Sequence, residues 1–127
     1  WKESFSTGMN VIITIDSVMR LMNIDFSEYV VFLDEYNSLI DYLISCPNLR
    51  KVRCIVFKML LKIISEAKQV IAVDADIHSC NLKILEYCKL DFLYIKNEYL
   101  HNRDNAEKPV EASEIFNFKV LLVSLKS

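Results

Sequence analysis

Apolar residues in this chain gather into short β-branched runs separated by amphipathic stretches. Asn10–Ile15 (Asn-Val-Ile-Ile-Thr-Ile) predicts a strand buried on both faces, and so do Tyr29–Leu33, Val70–Val73 and Phe92–Ile95. Asp16 or Ser17 is placed to cap a helix that begins at Val18. Leu39, Ile40, Leu43 and Ile44 repeat at helical spacing within 36–45, and Cys46-Pro47-Asn48 breaks that helix. Val52, Ile55, Val56, Met59, Leu60, Ile63 and Ile64 form one stripe of a second helix, with Arg50, Lys51, Arg53, Lys58 and Lys62 mostly off it. A third helix is expected over about 77–87. Lys96–Pro109 is polar and reads as a linker or excursion loop. The last stretch, about 111–125, reads as a helix, with a strand over Val120–Val123 as the alternative.

Buried strands alternating with helices predict an α/β fold, a three-layer parallel sheet covered on both faces. Ligands of such sheets meet the carboxyl ends of the strands. Two of the expected strands end in acids there, one at Asp34-Glu35 and the other at Asp74-Ala75-Asp76. If the two strands are neighbours, four carboxylates gather at one edge. They would repel unless a cation or a set of hydrogen-bond donors sits among them. Magnesium suits such oxygen ligands and keeps most of its waters.

Composition narrows the chemistry. The chain has 127 residues, room for one domain, and its net charge of −2 argues against a strongly basic nucleic-acid module. Gly8 is the single glycine, so neither GxxxxGK[ST] nor GxGxxG can be written, and the chain cannot cradle phosphates in a glycine-rich loop by itself. Cys46, Cys54, Cys80 and Cys88 include no CxxC pair, and with only His78 and His101 beside them they read as reduced, mostly buried thiols rather than a zinc site. No uncharged apolar run approaches the roughly 18 residues of a membrane helix, so no membrane partner is expected. The chain opens on Trp1-Lys2-Glu3-Ser4, which resembles neither a signal nor a transit peptide and fits a piece of a longer protein.

The segment Val30-Val31-Phe32-Leu33-Asp34-Glu35-Tyr36-Asn37 resembles a Walker B, or motif II, segment. Thr14-Ile15-Asp16-Ser17-Val18-Met19-Arg20-Leu21 precedes it, and Val70-Ile71-Ala72-Val73-Asp74-Ala75-Asp76-Ile77 follows about one long helix later. This ordered set, over roughly Asn10–Asn97, resembles the superfamily 2 helicase region of herpesvirus-type replication origin-binding proteins and of primase–helicases of large DNA viruses. The resemblance implies a RecA-like motor domain lacking its P-loop strand. Residues 1–97 would be the C-terminal part of the first motor domain, and 98–127 a linker and helix leading toward a second RecA-like domain. Asp34 would hold Mg2+ through water, and Glu35 would position or activate the hydrolytic water. Asp74 and Asp76 would couple the nucleotide site to the DNA-moving surface, and Thr14 and Ser17 would lie near the DNA path. ATP and Mg2+ would bind only in the full motor, within the nucleus or a viral replication compartment. This chain alone would not turn over ATP, because it has neither a Walker A loop nor an arginine finger in a supporting context.

Plainer readings stand beside these. Asp34 and Glu35 also serve as acids at the start of the next helix, where its dipole favours negative charge. Asp74 and Asp76 read equally well as helix caps. The basic residues of the second helix fit a solvated face better than a DNA contact, and His78 fits a surface histidine at a helix N-terminus. A non-catalytic α/β binding or scaffold domain, flavodoxin-like or receiver-like, is the competing reading of the whole chain. A receiver would need paired acids after its first strand and a hydroxyl where Asp74 stands.

Overall fold

The computed structural model describes residues 8–96 and 118–124. Four strands form one all-parallel sheet: β1 (Val30–Leu33), β2 (Gln69–Asp74), β3 (Phe92–Lys96) and β4 (Val120–Ser124). Their order across the sheet is β1-β2-β4-β3. Three α-helices connect them: α1 (Tyr36–Ser45), α2 (Arg53–Glu66) and α3 (Ser79–Tyr87). Two 3-10 turns, Ile15–Leu21 and Pro47–Leu49, complete the regular structure among the described residues.

The α/β class follows from the expected alternation, and most elements fall where the pattern puts them. α1 stops at Cys46, whose extended backbone (φ −67°, ψ 121°) is the conformation a following proline imposes. In α2 the apolar stripe is buried from Val56 through Met59, Leu60, Ile63 and Ile64, whereas Val52 and Ile55 stay exposed at the start of the helix.

Register and alternation sort the sheet residues into two faces. Val31, Leu33, Val70, Ala72, Phe92, Tyr94, Val120 and Leu122 share one face. This face carries the core, joined by Tyr36, Ile40 and Leu43 of α1, the α2 stripe, and Leu85 of α3. The described helices therefore cover one face of the sheet, and together with the sheet they make two of the three expected layers. On the opposite face Leu121 and Val73 are buried, while Val30 and Phe32 of the edge strand β1 are 56% and 62% exposed.

Three expectations are corrected. The run Asn10–Ile15 is not a strand. Val11, Ile13 and Ile15 pack against the core, but no ladder to β1 forms. The helix expected from Val18 is instead a 3-10 turn that begins at Ile15, with Thr14 as its extended N-cap. The C-terminal stretch, read as a helix, contains the strand β4, inserted between β2 and β3. Val120, Leu121, Leu122 and Ser124 are buried there, and an apolar run that includes Val120 and Val123 in a central, two-sided slot favours a strand over a helix. Val120–Ser124 thus belongs to the same sheet as β1, β2 and β3. Residues 97–117, which hold most of the expected linker, lie outside the described residues.

Candidate functional site

β1 and β2 are parallel neighbours, with Leu33 beside Ala72. Asp34-Glu35 leave β1 at a turn just past that pair, while β2 runs on to Asp74. Both acid pairs therefore lie at the carboxyl ends of neighbouring strands, and their members have separate duties.

Asp74 is committed to the backbone. Its Oδ2 accepts the Asn37 N–H at 2.8 Å, and its Oδ1 accepts the N–H of Ala75 at 2.6 Å. Asn37 is the second residue of α1, so Asp74 caps α1 from the neighbouring strand. It is a cap, as the plainer reading held, but of α1, which lies two helices earlier in the chain, and not of the helix that follows it. Asp76 is exposed, and its carbonyl accepts from Asn37 Nδ2.

Asn37 is the hub of the edge. Beyond those two bonds, its Oδ1 accepts the His78 N–H at 3.2 Å and the Asn81 Nδ2 donor. Tyr36 Oη donates to the Asn81 carbonyl at 3.1 Å, and Ser124 Oγ donates to the Ala75 carbonyl at 2.8 Å. Burial pushes the Tyr36 hydroxyl up to about 12, with the Cys88 and Cys80 thiols adding to the rise. Asn37 and Asn81 are buried polar residues whose donors and acceptors satisfy one another. The sequence reading placed Asn37 within motif II but missed it as a hub. Its one legible signal was a polar residue on the buried face of α1, one turn before Ile40.

Asp34 and Glu35 differ from Asp74. Both are exposed, and Glu35 makes no side-chain cap to α1. Glu35 stands at φ 51°, ψ 57°, a left-handed conformation that glycine or asparagine adopts at lower cost. The helix-cap reading of Glu35 therefore lacks the hydrogen bond that would carry it.

Thr14 and Asp34 line the same gap of about 620 Å3. Ser17 lies inside the 3-10 turn, its N–H bonded to the Thr14 carbonyl at 3.0 Å, and does not line that gap. Two of the basic residues are spent on carbonyls. Arg53 closes the end of α1 through Leu43 (2.8 Å) and Cys46 (2.9 Å), and Lys62 Nζ donates to Met22 at 3.0 Å. His78 is an exposed N-cap residue of α3. The cysteines are free, but Cys54 and Cys80 are exposed and Cys46 and Cys88 half-buried, which corrects the expectation of mostly buried thiols.

Among the described residues no group of three or more His, Cys, Asp or Glu side chains is arranged to hold a metal ion. Asp34 and Glu35 are exposed acids that follow the end of β1. The chain's own glycine, Gly8, stands alone in the sequence, so no phosphate cradle accompanies them. Among the described residues no helix is long and apolar enough to cross a membrane. No family model, curated protein or solved structure matches the chain.

Proposed function

We propose that this chain is the motif II part of an ATP-dependent DNA helicase or translocase of the superfamily 2 type, acting in DNA replication in the manner of origin-binding proteins. The observation that carries the reading is the division of labour at the sheet edge. Asp74 is tied to two backbone amides, while Asp34 and Glu35 at the end of β1 make no side-chain hydrogen bond among the described residues, and Glu35 is on strained backbone. Strain held at one residue without a compensating cap is a feature of functional positions. In this reading Asp34 holds Mg2+ through water and Glu35 orients the attacking water. The phosphate cradle and a second RecA-like domain come from elsewhere in the parent protein. Asp74 and Asp76 act by positioning α1 through Asn37, which gives their coupling role a physical form. DNA would pass near Thr14.

The test is Glu35→Gln in the full parent protein. ATP turnover is expected to disappear while nucleotide binding persists. Retained turnover overturns the role given to Glu35.

A second reading, a non-catalytic α/β scaffold, is favoured by the Asn37–Asn81–Asp74 network, which turns much of the sheet edge into structure. It predicts that Glu35→Gln leaves every activity of the parent protein unchanged.

A further inference from the structure

The run 9–15 lies beside edge strand β1 without pairing to it. Two tyrosine hydroxyls pin its ends. Tyr29 Oη accepts the Gly8 N–H at 2.7 Å, and Tyr42 Oη donates to both Asp16 carboxylate oxygens at 2.8 and 3.0 Å. Between the pins burial alternates: Val11, Ile13 and Ile15 are half-buried against the core, and Ile12 and Thr14 are exposed. A period of two is that of an extended strand, and Thr14 has extended backbone (φ −85°, ψ 157°). Yet among the described residues no backbone hydrogen bond joins 9–14 to β1. A gap of about 620 Å3 is lined by both 10–15 and 30–34, and it reaches the core at Leu39, Leu60 and Ile63.

Both of these segments are strand-like and one of them is a free edge. On the side away from β2, every second residue of β1 directs its N–H and C=O into the gap. Val30 and Phe32 lie exposed on one face of that edge, and Ile12 is fully exposed on the run facing it. The run has the composition of a strand, and the connection back to β1 is long enough for a parallel pairing. Residues 16–29 number fourteen and pass through the 3-10 turn, where a parallel connection needs about a dozen.

We infer that residues 10–14 are a strap that closes onto β1 as a fifth, parallel strand, and that the gap is the strap's open state. Closure covers Val30 and Phe32, satisfies the free edge, and brings Thr14 toward Asp34 across the gap they both line. The inference concerns the sheet edge alone and stands whether or not the parent protein hydrolyses ATP.

Amide hydrogen exchange on the whole chain tests it. In the unaltered chain, amides of 10–14 are expected to exchange about ten times more slowly than an unprotected peptide, or slower still. Ile12→Pro, which removes a ladder donor, is expected to abolish that protection and lower it in β1 while β2 and β4 keep theirs. Exchange of 10–14 at the unprotected rate in the unaltered chain overturns the inference. Should Ile12→Pro unfold the sheet, seen as lost protection in β2 and β4, crosslinking decides. Ile12→Cys is paired with Val30→Cys or with Phe32→Cys, with the four native cysteines changed to serine. A closed strap brings one pair within the roughly 4.4–6.8 Å Cα separation a disulfide needs, and failure of both pairs to crosslink overturns it.

Discussion

Asp74 accepts the backbone N–H of Asn37 at 2.8 Å and so caps helix α1 from the adjacent strand. The helix's own N-cap residue, Glu35, provides no such bond. A first turn left without a local cap is thereby held by a carboxylate 37 residues away in sequence. Asp74→Ala is expected to cost about 1–2 kcal/mol, as loss of a helix cap does. Asp74→Asn should recover part of it, because the amide oxygen still accepts one N–H. Urea unfolding of the two variants beside the unaltered chain measures both.

Asn37 supports four hydrogen bonds at the same edge. Asn37→Leu leaves the Asp76 carbonyl, the His78 N–H and the Asn81 amide without their partner. The expected loss is about 3 kcal/mol, since each stranded buried group costs about 1–3 kcal/mol. Loss of amide protection at the start of α3 should accompany it, and an unchanged unfolding midpoint would show that Asn37 is not the hub.

Glu35 sits at φ 51°. Glu35→Gly is expected to stabilise the chain by about 0.5–1 kcal/mol by relieving a left-handed conformation. Glu35→Gln keeps the strain and should leave stability unchanged. A destabilised glycine variant would mean that the glutamate side chain makes a contact that holds the fold.

Tyr36 gives a pH dependence with a definite sign. Its folded value, about 12, lies above the ordinary tyrosine value of 10. Its contribution is therefore complete below pH 10 and is lost as pH rises toward 12. The full shift corresponds to about 2–3 kcal/mol. Tyr36→Phe should unfold at nearly the same urea concentration at pH 8 and at pH 11 as far as this group is concerned. The unaltered chain should lose stability between those pH values by a visibly larger margin.

The Tyr42 hydroxyl, shared between Asp16 and Cys46, holds the Cys46 thiol below its usual range; the Asn48 and Leu49 amides add to the effect, and burial and the Asp16 charge oppose it. At pH 7.5 Cys46 should alkylate faster with iodoacetamide than its half-buried position alone would allow. Tyr42→Phe should slow that reaction and leave the rate at Cys54 unchanged. Mass-spectrometric mapping of the modified cysteines reads both rates.

The sequence by itself determined the parallel α/β class, α1, α2, β2 and β3 within a residue or two, and the acids at two strand ends. Hydrophobic period and strand-end chemistry are local, and both were carried by consecutive residues such as Val70–Asp74. The tertiary structure decided which neighbours those residues meet. Val120–Val123 has the same local composition whether it is a helix or a strand, and only the vacant central slot between β2 and β3 makes it β4. Asn10–Ile15 has the composition of a buried strand, yet pairing needs a partner edge at the right spacing, and no ladder to β1 forms. Asp34 and Asp74 look alike in sequence. Among the described residues Asp34 makes no side-chain hydrogen bond, whereas Asp74 is bound to α1 because the fold sets it beside the first turn of that helix, a relation between distant segments that no local pattern encodes.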